Sequence, residues 1–128
     1  MMNMKKEKGE SYMEGKKETA QTDIDAGNCT VDRTILYVRL PRELDHHNAE
    51  AVRRQADRML ERFMILRLVF DFQDTEFMDS SGIGVIMGRY KNIHFLGGTM
   101  AVEHVNPRME RMLRMAGVYR LMESREGE

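Results

Sequence analysis

The sequence predicts a single α/β domain, a mixed sheet of four to five strands with helices packed mainly on one face. Three observations carry that expectation. Strand-like and helix-like patterns alternate from Thr34 to Gly117, which implies crossover connections and at least partly parallel strands. The run from Leu66 to Phe72 is apolar on both faces, as in a strand buried between layers or deep in a parallel sheet. The run from Thr34 to Leu40 is two-sided. Leu36, Val38 and Leu40 share an apolar face, while Ile35, Tyr37 and Arg39 form a mixed one, so helices are not expected to cover both sides equally.

Taken in order, residues 1–26 read as a disordered charged extension. Lys5, Lys6, Lys8, Lys16 and Lys17 alternate with Glu7, Glu10, Glu14 and Glu18, and no apolar stripe offsets the entropy of ordering them. The domain is expected over residues 27–123. Cys29 to Val31 suits a short edge strand, with a turn at Asp32-Arg33. Pro41 ends the next strand, since it has no N–H for a ladder. Ala49, Val52, Ala56, Met59 or Leu60, and Phe63 then recur at helical spacing, with Asp45 or Asn48 as N-cap. Arg53, Arg54, Arg58, Glu61 and Arg62 read as the solvated face of that helix.

A second helix is expected to start near Ile83, with Ile83, Ile86, Met87 and Tyr90 as its stripe and Gly97-Gly98 as its end. Gly82, Gly84 and Gly88 each weaken a helix by about 1 kcal/mol relative to Ala, so close approach of a strand or a partner must justify them. Thr99 to Val105 is another strand. Asn106-Pro107 opens a third helix with Met109, Met112, Leu113 and Ala116 inward and Gly117 just past its end. Val118 to Met122 is expected as a final short strand, and residues 124–128 as a frayed tail.

Composition narrows the function. The 128 residues carry 20 basic and 21 acidic side chains, a net charge of −1, which argues against general nucleic-acid affinity. No apolar run approaches the roughly 20 residues of a membrane span, and the N-terminus has no apolar signal region, so no membrane contact is expected. A single cysteine, Cys29, excludes an internal disulfide and suits a cytoplasmic setting. Phosphate-loop and nucleophile-elbow motifs are absent, so no catalytic residue and no enzyme activity are expected. His46 and His47 are adjacent and would point about 100° apart on a helix, and Cys29 is distant, so no metal site is expected either. Asp71, Asp74, Glu76 and Asp79 are plentiful carboxylates, but nothing in the sequence makes them converge.

That leaves Asp79-Ser80-Ser81-Gly82, between the apolar strand and the second helix. A capped helix start explains these residue types by itself. A phosphoacceptor serine is the functional alternative. A phosphate would be favoured by the positive helix N-terminus and disfavoured by Asp79 beside it.

Three stretches carry a resemblance over about Asn28 to Met122: Glu43-Leu44-Asp45-His46-His47-Asn48-Ala49-Glu50, then Phe77 through Lys91, then Gly97-Gly98 through Ala116-Gly117. Together they resemble the STAS-domain family of anti-sigma factor antagonists, with the sporulation (anti-sigma F) branch more similar than the general-stress branch. The resemblance implies that Ser80 is phosphorylated by the anti-sigma factor, itself a serine protein kinase, and that a PP2C-type phosphatase reverses this. The unphosphorylated form would bind the anti-sigma factor and release the sigma factor. Asp45, His46, Asp79, Ser81, Gly82, Ile83 and Gly84 would form the partner-binding surface. No cofactor is implied, since the partner consumes the ATP, and a monomer or weak dimer is expected. Two departures stand out: the family's closing C-terminal helix is not evident, and the charged extension is additional. Alternatives are a general-stress antagonist, a signalling scaffold, or a small nucleotide hydrolase using the Gly82/Gly84 turn.

Overall fold

The computed structural model describes residues 17–20 and 28–123. Its elements are β1 (Lys17–Ala20), β2 (Asn28–Asp32), β3 (Ile35–Arg39), β4 (Glu43–Leu44), α1 (Ala49–Arg62), β5 (Arg67–Asp71), β6 (Phe77–Met78), α2 (Ser80–Phe95), β7 (Thr99–Glu103), α3 (Pro107–Met115) and α4 (Val118–Glu123). Five strands form one mixed sheet in the order β1-β2-β3-β5-β7, and β4 and β6 form a separate parallel pair. The β1-β2 and β2-β3 pairs are antiparallel, while β3-β5 and β5-β7 are parallel. The parallel pairs are joined through α1 and α2, as strand–helix alternation requires.

Register explains the two-sided sheet. Val31, Leu36, Leu68 and Met100 line up across β2, β3, β5 and β7, and Cys29, Val38 and Phe70 do so one layer on. All are buried and join one core with Val52, Ala56 and Met59 of α1 and Ile86, Tyr90 and Ile93 of α2. The opposite face carries Thr30, Tyr37, Val69 and Ala101 in register. Val69 is buried there but lies outside the core cluster. The central strand is therefore apolar on both faces, as its sequence predicts, and its neighbours are not. Burial pushes the Cys29 thiol up to about 12, against a smaller opposing pull from Arg58, so this cysteine is an unreactive core residue.

Four expectations need correction. Lys17–Ala20, inside the segment read as a disordered extension, pairs with β2 from Lys17↔Asp32 to Ala20↔Cys29, so β2 is not an edge strand. Backbone pairing to an open edge needs no apolar stripe, which is why composition did not reveal it. The remainder of the extension and residues 124–128 lie outside the described residues. The second helix starts at Ser80 rather than near Ile83, because the Asp79 carboxylate caps it. Asn48 does stand at the N-cap of α1, but its side chain makes no capping bond there; the Asp45 carboxylate accepts from the His47 and Asn48 N–H groups in the preceding turn instead.

The fourth correction concerns the chain end. Val118–Glu123 is a helix, so a closing helix is present after all. Gly117 has a φ of 84°, a left-handed conformation that glycine adopts without strain, and it turns the chain sharply between α3 and α4. The Leu121 N–H then donates to the Gly117 carbonyl at 3.2 Å, and Tyr90 Oη donates to the Leu121 carbonyl at 3.0 Å. No helix among the described residues is long and apolar enough to cross a membrane.

Candidate functional site

The short β4-β6 pair builds the site. Glu43↔Phe77 and Leu44↔Met78 are in register, so the loop before α1 and the start of α2 emerge side by side. Thr75 locks the pair from below, its Oγ1 donating to the Pro41 carbonyl at 2.9 Å. The Asp79 N–H reaches the Leu44 carbonyl at 3.3 Å. Residues 45–48 and 79–84, more than thirty positions apart, thus form one surface.

Asp79 sits at its centre. Its Oδ1 accepts from the Ser81 N–H at 2.8 Å and the Gly82 N–H at 3.4 Å, and its Oδ2 accepts from the His46 N–H at 3.2 Å. His46 Nδ1 lies 3.5 Å from the same oxygen. Partial desolvation works to raise the Asp79 carboxyl. The bonds from the Ser81, Gly82 and His46 amides and from the His46 ring outweigh it and hold the pKa below its ordinary value. Asp45 behaves alike: desolvation works upward, and the N–H groups of His47 and Asn48 carry its pKa below the ordinary value. The two histidine rings lie 4.1 Å apart and tilted by 37° to one another, one near Asp79 and the other near Asp45.

The serines differ in position. Ser80 is exposed at the first residue of α2, whereas Ser81 is half-buried and lines a groove of about 360 Å³ with His46, Glu50, Arg53 and Arg89. Gly82 is packed against β4, and a Cβ there would meet the Leu44 carbonyl oxygen at 2.6 Å. Close strand approach is therefore its reason. Around Gly84 the space is open. Ile83 is half-buried and packs against the core. All eight residues singled out from the sequence, Asp45, His46, Asp79, Ser80, Ser81, Gly82, Ile83 and Gly84, fall in this one region, but Gly82 and Ile83 turn largely inward.

Sequence reasoning missed the wall of the groove. Arg89 is only 8% exposed and its Nε stands 2.9 Å from Asp57 Oδ1 across the α1-α2 interface. That contact is an ion pair without an in-line N–H···O bond, since Nε has no hydrogen-bond partner. Burial lowers the Arg89 pKa, with Asp57 opposing. Arg53 bridges Glu50 and Asp57, so part of the helix face read as solvated is a charge network. The signal was available: Arg89 lies three residues after Ile86 and four before Ile93, on the buried stripe of α2. The carboxylates between β5 and α2 do not converge. Asp74 pairs with Arg39, Glu76 with Arg42, and Asp71 with His104.

Comparison with known families matches residues 28–127 to the STAS domain. The chain belongs to the STAS domain family. Within it, the chain is 48% identical over 90 residues to the anti-sigma F factor antagonist of Paenibacillus polymyxa, covering 70% of this chain and 77% of that one. It is 27% identical over 88 residues to the anti-sigma F factor antagonist of Lysinibacillus sphaericus, covering 69% and 75%. Among solved structures it is similar to the anti-sigma factor antagonist SpoIIAA in its unphosphorylated form, with a TM-score of 0.58 and 28% identity, covering 66% of this chain and 77% of that one. The STAS match spans the core sheet from β2 onward, all four helices and the β4-β6 pair that carries the site.

Proposed function

We propose that this STAS domain is an anti-sigma factor antagonist, with Ser80 as a phosphoacceptor that switches its binding. The observation that carries the choice of serine is the contrast at the start of α2: Ser80 is exposed, and Ser81 is half-buried against the groove. The names of the antagonists from P. polymyxa and L. sphaericus support the role, and SpoIIAA, solved in an unphosphorylated form, supports the switch. The partner is an anti-sigma factor that is also a serine kinase, and a PP2C-type phosphatase resets the state. The sigma factor is of the sporulation type. The antagonist needs no cofactor and no catalytic residue of its own, and it acts in the cytoplasm as a monomer or weak dimer.

The physics of the switch is local. A phosphate on Ser80 gains from the partial positive charge of the helix start. It sits next to Asp79, whose carboxylate is held ionised by its hydrogen bonds. Because Ser80 faces water, the dianion leaves the core untouched and instead blocks close approach at Asp45, His46, Asp79 and the open Gly84 backbone.

Incubation with an anti-sigma F factor kinase and ATP is expected to add one phosphate to the wild type and to Ser81→Ala, and none to Ser80→Ala. Undiminished labelling of Ser80→Ala would refute the assignment. By calorimetry, Ser80→Asp is expected to bind the anti-sigma factor at least about tenfold more weakly, a loss of ~1.4 kcal/mol.

A further inference from the structure

Away from that surface, three potential metal ligands meet where β5 and β7 end. Asp71 and Glu103 are register partners on these adjacent parallel strands, so both carboxylates project from the same side of the sheet. His104 follows Glu103 in a left-handed conformation, φ 56°, which is uncommon for a residue with a Cβ. Its Nδ1 stands 2.8 Å from Asp71 Oδ1. One donor atom from each of the three residues lies within 4.8 Å of the others. We propose that Asp71, Glu103 and His104 form a binding site for a divalent transition-metal ion of zinc-like preference.

Charge is the first argument. Like charges directly opposed on neighbouring strands destabilise a sheet, and here two carboxylates are opposed. Arg39, the register partner of Asp71 on β3, eases the charge at Asp71, but its guanidinium is hydrogen-bonded to Asp74 through Nε at 3.0 Å and Nη2 at 3.2 Å. Glu103 makes no ion pair among the described residues. A divalent cation held between the two carboxylates would bring positive charge to Glu103.

Donor chemistry is the second argument. One imidazole and two carboxylates match the nitrogen and oxygen ligands that zinc accepts at about 2.0–2.2 Å, with a further position left for water. Asp71 is oriented by the Gln73 N–H, which donates to its Oδ1 at 2.9 Å. The backbone under Glu103 is pinned as well, because its carbonyl accepts from the Phe72 N–H at 2.9 Å. Glu103 and His104 are exposed and Asp71 half-buried, so an ion has access. On binding, the metal takes the Nδ1 lone pair, and any proton there passes to solvent. Carboxyl ends of parallel strands are also where open α/β sheets place their ligands.

The test is titration of the tag-free protein with Zn2+ by calorimetry. One ion per chain is expected to bind. His104→Asn tolerates a left-handed backbone but removes the imidazole, and Glu103→Gln removes one carboxylate. Each is expected to weaken binding by roughly tenfold or more. The double variant His46→Ala/His47→Ala, at the other end of the β4-β6 region, is expected to bind as the wild type does. Circular dichroism checks that each variant is folded. Wild-type affinity in His104→Asn, loss of binding in the His46/His47 variant, or no heat of binding in the wild type would each overturn the proposal.

Discussion

At Gly82 the first turn of α2 presses on β4 so closely that a single methyl decides stability. The Cβ of an alanine there would stand 2.6 Å from the Leu44 carbonyl oxygen, 2.7 Å from Leu44 Cγ and 2.8 Å from Met78 Cγ. The carbonyl belongs to a paired strand and cannot swing aside. Overpacking of this kind costs about 1–3 kcal/mol, whereas the better helix propensity of alanine returns only ~1 kcal/mol. Gly82→Ala is therefore expected to be destabilising by up to about 2 kcal/mol. Two residues on, the same change meets nothing within 4 Å at Gly84, so only propensity acts and Gly84→Ala is expected to stabilise by up to about 1 kcal/mol. Urea unfolding midpoints of the two variants should move in opposite directions. Equal shifts would show that helix propensity alone governs both. In the sequence these glycines look alike, since nothing local says which one faces a strand.

For α2 as an element, the starting point is set by Asp79, and this ties helix stability to acid. The folded-state pKa of Asp79 lies below its ordinary value, so the unfolded chain binds the proton more readily. The stabilisation is fully present above the unfolded pKa of about 3.9 and is lost as the pH falls through the lower folded value. Asp45 acts in the same direction. Thermal unfolding from pH 7 to 2 should show the wild type losing stability below about pH 4 more steeply than Asp79→Asn, which has no carboxylate to protonate. Parallel curves would mean that the cap contributes nothing ionic.

Elements of this kind were legible in the sequence to different degrees. The central strand, α1 and α3 announce themselves through long apolar periods or an Asn-Pro start. The start of α2 was misplaced because Ser80 to Gly82 carry no large apolar side chain, and only a cap decides that they are helical. The five residues from Val118 to Met122 fit either period, and Tyr90 and Gly117 decide between them from outside the segment. β1 is a backbone pairing with almost no side-chain signature. The candidate-site residues could be grouped from the sequence as a motif, and the fold brings them to one surface, but the Asp57–Arg89 pair behind them could not, since it joins two helices that only the fold brings together.

On the scale of the whole molecule, two helices on one face of a five-stranded sheet leave both rims needing cover. α4 covers the rim at β7 and also ties down the far half of α2 through Tyr90. Val118 is fully buried, and Tyr119, Leu121 and Met122 pack partly against the core. Ending the chain at Gly117 exposes what these side chains cover. One buried valine alone is worth about 1.5–3 kcal/mol, and the three partly buried residues add to it, so a loss of roughly 3 kcal/mol or more is expected. That is a large share of the 5–15 kcal/mol typical of a domain. The proposed binding surface lies at the opposite end of α2: Ser80 precedes Tyr90 by ten residues, about 15 Å along the helix axis. Intrinsic affinity for the anti-sigma factor should then survive truncation, with the apparent Kd rising only by the inverse of the folded fraction. Denaturant unfolding and calorimetry on the same truncated protein separate the two effects. A loss of affinity larger than the unfolded fraction explains would mean that α4 contributes to the partner surface itself.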